Sequence, residues 1–176
     1  MSDRLCYEES CRRLWGEYLD QGQVPPLPAR MPGVDDPEPL GLSFFRTFVG
    51  DGDDLGNLTL PRTLVCRSEI SQASFRNTDL SESFLCWNDF VDVDFSGALL
   101  TGADLRASVF RRVAFQGADL SGADLRRSEF EECDFSDALM QGAVLTKDQG
   151  RRLHLSAEQR KEIAWTRDPG PEPAGG

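Results

Sequence analysis

Chemistry in this chain would have to come from one histidine, five cysteines and thirty Asp and Glu residues. His154 is the sole imidazole and lies near the C-terminus, outside any serine- or cysteine-centred set that would make a nucleophile. Cys6, Cys11, Cys66, Cys86 and Cys133 are odd in number and lack the short CxxC spacing of a zinc or redox motif, so they read as reduced, small apolar residues. Asp51, Asp53 and Gly56 mimic positions one, three and six of a calcium loop. Leu55 stands at position five and Arg62 at position twelve, where a bidentate Glu is required, so the loop is rejected. Gly50, Gly52 and Gly56 miss the GxGxxG phosphate fingerprint. No catalytic, cofactor-binding or metal-ligating residue is assigned, and the protein is not expected to be an enzyme.

Charge narrows the partners. The net charge is −11, with 19 basic against 30 acidic side chains, which argues against direct binding to nucleic acid or to anionic lipid. No run approaches a membrane span, and the N-terminal residues lack the apolar core of a signal peptide, so a cytoplasmic protein is expected.

What positions these side chains is a repeat. From Leu60 a large apolar residue falls at every fifth position, from Val65 and Ile70 through Met140 and Leu145, with no insertion. A small residue mostly precedes it by two. Residue type also repeats every twenty residues: Phe75, Phe95, Phe115 and Phe135 form one series, and Phe90, Phe110 and Phe130 follow Ile70 in another. Two further series are aliphatic, Leu80 to Met140 and Val65 to Leu145. A period of twenty predicts a coil with four sides, stacked like over like. Backbone hydrogen bonds then run between coils at the ~4.8 Å spacing of neighbouring strands. Each unit sends two side chains inward and three outward, so the interior is filled and holds no substrate cavity.

The units, written ADLSG ADLRR, CDFSD and ADLRA, resemble the pentapeptide-repeat family, whose motif is A(D/N)LXX; seventeen consecutive units cover residues 63–147. The resemblance implies an all-β fold: a right-handed quadrilateral β-helix of about four coils, roughly 20 Å tall, with short helical or loop caps at both ends. It also implies a runner-up function. Some members mimic B-form DNA, bind DNA gyrase or topoisomerase IV, and give quinolone or toxin resistance. Family members often end in a helix that dimerises them.

The chain divides accordingly into an N-terminal capping segment at 1–62, the β-helix at 63–147, a C-terminal cap at 148–167 and a disordered tail at 168–176. Within the first segment an amphipathic helix is expected over 5–20, carrying Tyr7, Cys11, Leu14, Trp15 and Tyr18 on one face. A proline-rich loop follows over 21–40, with a generic polyproline-ligand pattern at Pro25, Pro28 and Arg30. The β-prone stretch 40–50 should cover the first coil. Ser156 to Gln159 forms a capping box that starts a helix near 156–165. Leu153, Leu155, Ile163 and Trp165 either close the last coil or form a homodimer contact.

Function should then lie on the outer faces. Residues 63–147 carry eight basic and fourteen acidic side chains. Asp79, Asp94, Asp104, Asp119, Asp124 and Asp134 form a candidate acidic face, whose alternative role is polar contact with turn backbones. Arg67, Arg106, Arg126 and Arg127 line one side and Arg111 and Arg112 the next, with Trp87 and Cys86 pointing outward among them. This is a candidate partner surface, because Trp and Arg concentrate binding energy. Residues 1–50 covering Trp87 is the competing reading. Cys66 and Cys86 share one outward column on adjacent coils and are expected to pair on oxidation. The leading function is a non-catalytic protein-interaction scaffold whose partner the sequence does not name.

Overall fold

The five-residue period winds the chain into a square coil. The computed structural model describes residues 3–20, 43–45, 48–49, 52–170 and 173. In chain order these form α1 (Tyr7–Asp20), β1 (Ser43–Phe45), β2 (Phe48–Val49), β3 (Leu64–Cys66), β4 (Glu69–Ser71), β5 (Asp89–Val91), β6 (Val109–Arg111), β7 (Glu129–Glu131), β8 (Val144–Thr146), α2 (Lys147–Arg152), α3 (Ala157–Glu162) and β9 (Ala164–Thr166). The proline-rich loop and Asp51, the first residue of the expected turn, lie outside the described residues, while Gly52 in that turn has a φ of 88°.

Every pairing is parallel, and within the repeats the partners are twenty residues apart. The first side stacks Asp54, Ser74, Asp94, Ala114 and Asp134; the second stacks Thr59, Asp79, Leu99, Asp119 and Leu139. The third runs from β1 on β3 through Phe84, Asp104 and Asp124 to β8 and β9. The fourth is the sheet β2-β4-β5-β6-β7. These are the four sides of the right-handed quadrilateral β-helix. The third side reaches seven levels, about 29 Å at ~4.8 Å per level, taller than the sequence implies. The excess on this side comes from β1 and β9; the first side begins with a further unit centred on Leu55, whose side chain joins the core with Leu58 and Leu60.

Sharp corners require a left-handed residue. Every fifth residue from Asn57 to Gly142 has a positive φ, between 51° and 71°. Most are not glycine, so each such corner carries backbone strain of order 1 kcal/mol. Ladder bonds and the stacked interior offset it. Phe75, Phe95, Phe115 and Phe135 stack with centroids 5.1, 5.5 and 4.9 Å apart, and Phe90, Phe110 and Phe130 at 4.9 and 5.1 Å. The two columns meet edge-to-face, as Phe110 meets Phe115 at 5.5 Å and 63°.

A buried polar column runs beside the rings. At the corner between the third and fourth sides, Ser68 N–H donates to Asn88 Oδ1, Asn88 N–H to Ser108 Oγ and Ser108 N–H to Ser128 Oγ, at 3.0 to 3.1 Å. In return Asn88, Ser108 and Ser128 donate to the carbonyls of Val65, Leu85 and Leu105 one coil below. Side chains thereby satisfy backbone groups that the corner removes from the ladder.

Both ends are covered. At the N-terminal end Leu5 N–H donates to Asn57 O, Thr59 N–H to Ser10 Oγ and Arg13 to Gly56 O, which seats the start of α1 on the first coil. At the other end, residues 147–163 take the place of three sides of a coil. Ser156 and Gln159 form the expected capping box, and Thr146 and Gln149 form a second one. Leu153 and Ile163 are buried against the last coil. Residues 168–170, expected in the disordered tail, form a turn: Gly170 N–H donates to Asp168 Oδ1, and Arg127 donates to Gly170 O at 2.6 Å.

Candidate interaction surface

The outward positions take their chemistry from the two residues that flank each large inward one. Asp before the large residue reaches back to its own turn. The Oδ1 atoms of Asp79, Asp94, Asp119 and Asp134 accept the backbone N–H of Ser81, Ser96, Ser121 and Ser136 at 2.8 to 3.0 Å. Asp104 and Asp124 do the same for Arg106 and Arg126 at 3.1 Å. The Ser136 hydroxyl and N–H hold the Asp134 carboxyl below the usual range. These aspartates do not form one face. Asp94 and Asp134 are on the first side, Asp79 and Asp119 on the second, and Asp104 and Asp124 on the third.

The arginines are held in place by carboxylates. Arg106 grips both oxygens of Asp104 at 2.9 and 2.7 Å, and Arg126 those of Asp124 at 2.9 and 2.6 Å. Both guanidinium groups are largely buried, and their partners raise their pKa above the ordinary arginine value. Arg112 reaches down one coil to Asp92 at 2.6 and 2.8 Å, which lowers the carboxyl's pKa and raises that of the guanidinium. Arg111 pairs with Glu131 at 3.4 Å and is more exposed. Third and fourth sides therefore present paired charge with a ridge of corner residues between them: Arg67, Trp87, Ala107 and Arg127.

Trp87 is half-buried. The Arg67 guanidinium lies 5.6 Å from its ring centre, and its buried indole N–H has no acceptor among the described residues. Beside it, Arg67, Ser68, Glu69 and Asp89 complete a shallow recess of about 340 Å³. Phe84 remains 37% exposed one position from Leu85, and Leu139 on the second side is 54% exposed. Whether residues 21–42 cover Trp87 lies outside the described residues.

Cys86 does not point into solvent. It is fully buried, and Cys66 is 5% exposed. The period places both at outward positions, yet their sulfurs turn toward each other out of solvent. Their Sγ atoms stand 3.4 Å apart.

Other openings are shallow. A cavity of about 310 Å³ lies between β7 and α2, lined by Phe130, Arg111 and Gln149 among others. It exists because β7 ends its sheet and a helix replaces the next strand. Among the described residues no three His, Cys, Asp or Glu side chains converge to hold a metal ion. No described helix is long and apolar enough to cross a membrane.

The repeats have a counterpart among known protein families. Residues 68–106 and 108–146 match the model of pentapeptide repeats, in eight copies. No curated protein matches the chain in sequence. Among solved structures, a pentapeptide repeat protein from the Arabidopsis thaliana thylakoid lumen is 26% identical, with 65% of this chain and 72% of that one covered and a TM-score of 0.43. The pentapeptide repeat protein Rfr23 from the cyanobacterium Cyanothece 51142 is 16% identical over 61% of this chain and 83% of its own, with a TM-score of 0.35. QnrB1, a plasmid-mediated fluoroquinolone resistance protein, is 14% identical over 72% and 91%, with a TM-score of 0.32. By its repeats and by the square coil they build, the chain belongs to the pentapeptide-repeat family.

Proposed function

We propose that this protein is a non-catalytic scaffold that binds another protein through the ridge between its third and fourth sides. One observation carries the reading: the interior is solid, with stacked side chains where an enzyme would keep a cleft. Recognition is then left to the outside. The ridge supplies what an interface core needs, an aromatic anchor at Trp87 with Arg67 over it and Arg127 on the same corner, while Arg111 on the fourth side and Arg112 at its far corner extend the surface. Arg106 and Arg126 serve differently. Locked on Asp104 and Asp124, they keep the third side flat and neutral beside the ridge.

Quantitative affinity capture from host extract tests this, comparing the natural protein with Trp87→Ala and with Arg111→Ala/Arg112→Ala. A protein retained by the first and lost by both variants is the expected result. Equal capture by all three overturns the ridge.

The alternative is an acidic DNA mimic acting on DNA gyrase or topoisomerase IV. Net charge −11 and a side about 29 Å tall, near nine base pairs at ~3.4 Å each, favour it. The spread of the six aspartates over three sides, with Asp94, Asp104 and Asp124 each paired with an arginine, weighs against it. Supercoiling assays with and without quinolone separate the two; no effect at micromolar protein excludes the mimic.

A further inference from the structure

We propose that Cys66 and Cys86 are a peroxide-sensitive thiol pair that closes into a disulfide and staples the first two repeat coils together. The Sγ atoms are already in contact at 3.4 Å. The two residues sit at equivalent positions of the third side, with Leu64 paired to Phe84 in parallel register. Neighbouring strands set Cα atoms ~4.8 Å apart, inside the roughly 4.4–6.8 Å that a disulfide spans. The sulfurs need to approach by only about 1.3 Å to reach bonding distance, a matter of side-chain rotation. Cys133 projects at a different column, toward Phe110 O, and Cys6 precedes α1, so neither competes for the bond.

The two sulfurs are unequal. Cys66 keeps a small opening to solvent and Cys86 has none, so the oxidant must be small and must meet Cys66 first. Either thiol can donate to the other; with Cys86 as donor, the bond favours thiolate at Cys66 and opposes it at Cys86. Arg67 adds positive charge near Cys66, against the negative charge of Asp104. This is the environment of an attacking thiol beside a resolving one.

Hydrogen peroxide is the oxidant class. The Cys66 thiolate attacks one peroxide oxygen; the O–O bond breaks and Cys66 sulfenic acid forms, releasing hydroxide that a proton converts to water. Cys86 sulfur then attacks the sulfenic sulfur. The S–O bond breaks, the S–S bond forms, and the departing hydroxide takes the Cys86 proton as a second water. Two thiols and one peroxide give one disulfide and two waters, with two electrons passing from sulfur to oxygen.

The bond falls where a staple has an effect. Cys66 ends β3, whose other neighbour is β1 through the Phe45–Cys66 register. The disulfide therefore ties the β3 level, on which β1 pairs, to the Phe84 level above it, and closing that loop limits unzipping of the N-terminal end.

The test treats the full chain with hydrogen peroxide, alkylates the remaining thiols and digests with trypsin without reduction. A species joining residues 63–67 to residues 77–106 is expected, and it should vanish on reduction. The thermal midpoint should rise by several degrees with oxidation and return with reduction, and Cys66→Ala and Cys86→Ala should lose the rise. Separate alkylation or sulfinic acid at both cysteines, or a link from either to another cysteine, overturns the pair. A bond that forms while the midpoint stays or falls overturns the staple. The peptide map uses the natural chain, so it decides the first point even if a variant folds poorly.

Discussion

Gln149 and Gln159 stand ten residues apart, half of one coil, and their side-chain amides close diagonally opposite corners of the last coil. Gln149 Nε2 donates to Leu125 O and Ser128 O at 2.8 and 2.9 Å; Gln159 Nε2 donates to Phe135 O and Ala138 O at 2.7 and 3.0 Å. In the same step each Oε1 accepts the N–H of its own N-cap, Thr146 or Ser156. Gln149 is thus the last member of the polar column that begins at Ser68.

Replacing Gln159 by Ala leaves the buried Ala138 carbonyl without its donor, leaves Phe135 O with only the Ala138 N–H, and breaks half a capping box. The expected loss is about 2–3 kcal/mol, read as a lower urea midpoint with an unchanged slope. Gln149→Ala should cost less, because Gln149 is only half-buried. The two losses should add within about 0.5 kcal/mol, since the corners share no partner. A Gln159→Ala loss below that size would mean that water replaces the amide.

The phenylalanine columns should grade by depth. Phe110 is fully buried between Phe90 and Phe130, whereas Phe130 is half-buried beneath the cavity at α2. Phe110→Ala should cost about 3–5 kcal/mol, the range for a large ring removed from a tight core. Phe130→Ala should cost measurably less. Equal losses would mean that the end of the column is as well packed as its middle.

These columns are legible in the sequence because the chain never leaves register; a period of five and a repeat of type at twenty fix which ring meets which. Legibility ends where position along the period stops determining depth. Cys86 is outward by count and buried in fact, its sulfur against that of Cys66. The aspartates look like one surface along the chain, yet consecutive sides differ by five residues, so Asp94, Asp119 and Asp124 face three ways. Leu55 falls on the register, but Asp53 stands where most units have a small residue, which hides the first unit. Thr146 and Gln149 match the same capping pattern as Ser156 and Gln159, and only the glycine inside the following helix disguised them.

Acid should loosen the turns. The carboxyls of Asp134 and Asp92 have lowered pKa values in the folded state, from the Ser136 hydroxyl and backbone N–H and from the Arg112 side chain. A lowered folded pKa contributes stability that is present above the unfolded carboxylate value and is lost as pH falls through the folded one. The urea midpoint should therefore hold near neutrality and drop below about pH 4. Asp134→Asn keeps an oxygen for the Ser136 N–H but cannot titrate. It should change the midpoint little at neutral pH and make the acid-side decline shallower; an unchanged decline would show that Asp134 does not contribute.

Gly150 separates two opposing expectations. It lies inside α2, where replacement by Ala would by helix propensity alone stabilise the cap by about 1 kcal/mol. Its place in the fold says otherwise: a Cβ there would lie 2.3 Å from two ring carbons of Trp165. That ring cannot simply swing away, because its indole N–H donates to Arg160 O at 2.8 Å and its backbone sits in β9 on β8. Gly150→Ala should therefore lower stability by about 1–3 kcal/mol and shift Trp165 fluorescence toward a more solvated value. Adding Trp165→Leu should recover part of the loss, since the smaller side chain vacates the contact. If Gly150→Ala is instead more stable than the natural chain, the ring does not rest on Gly150 and the cap closes in another way.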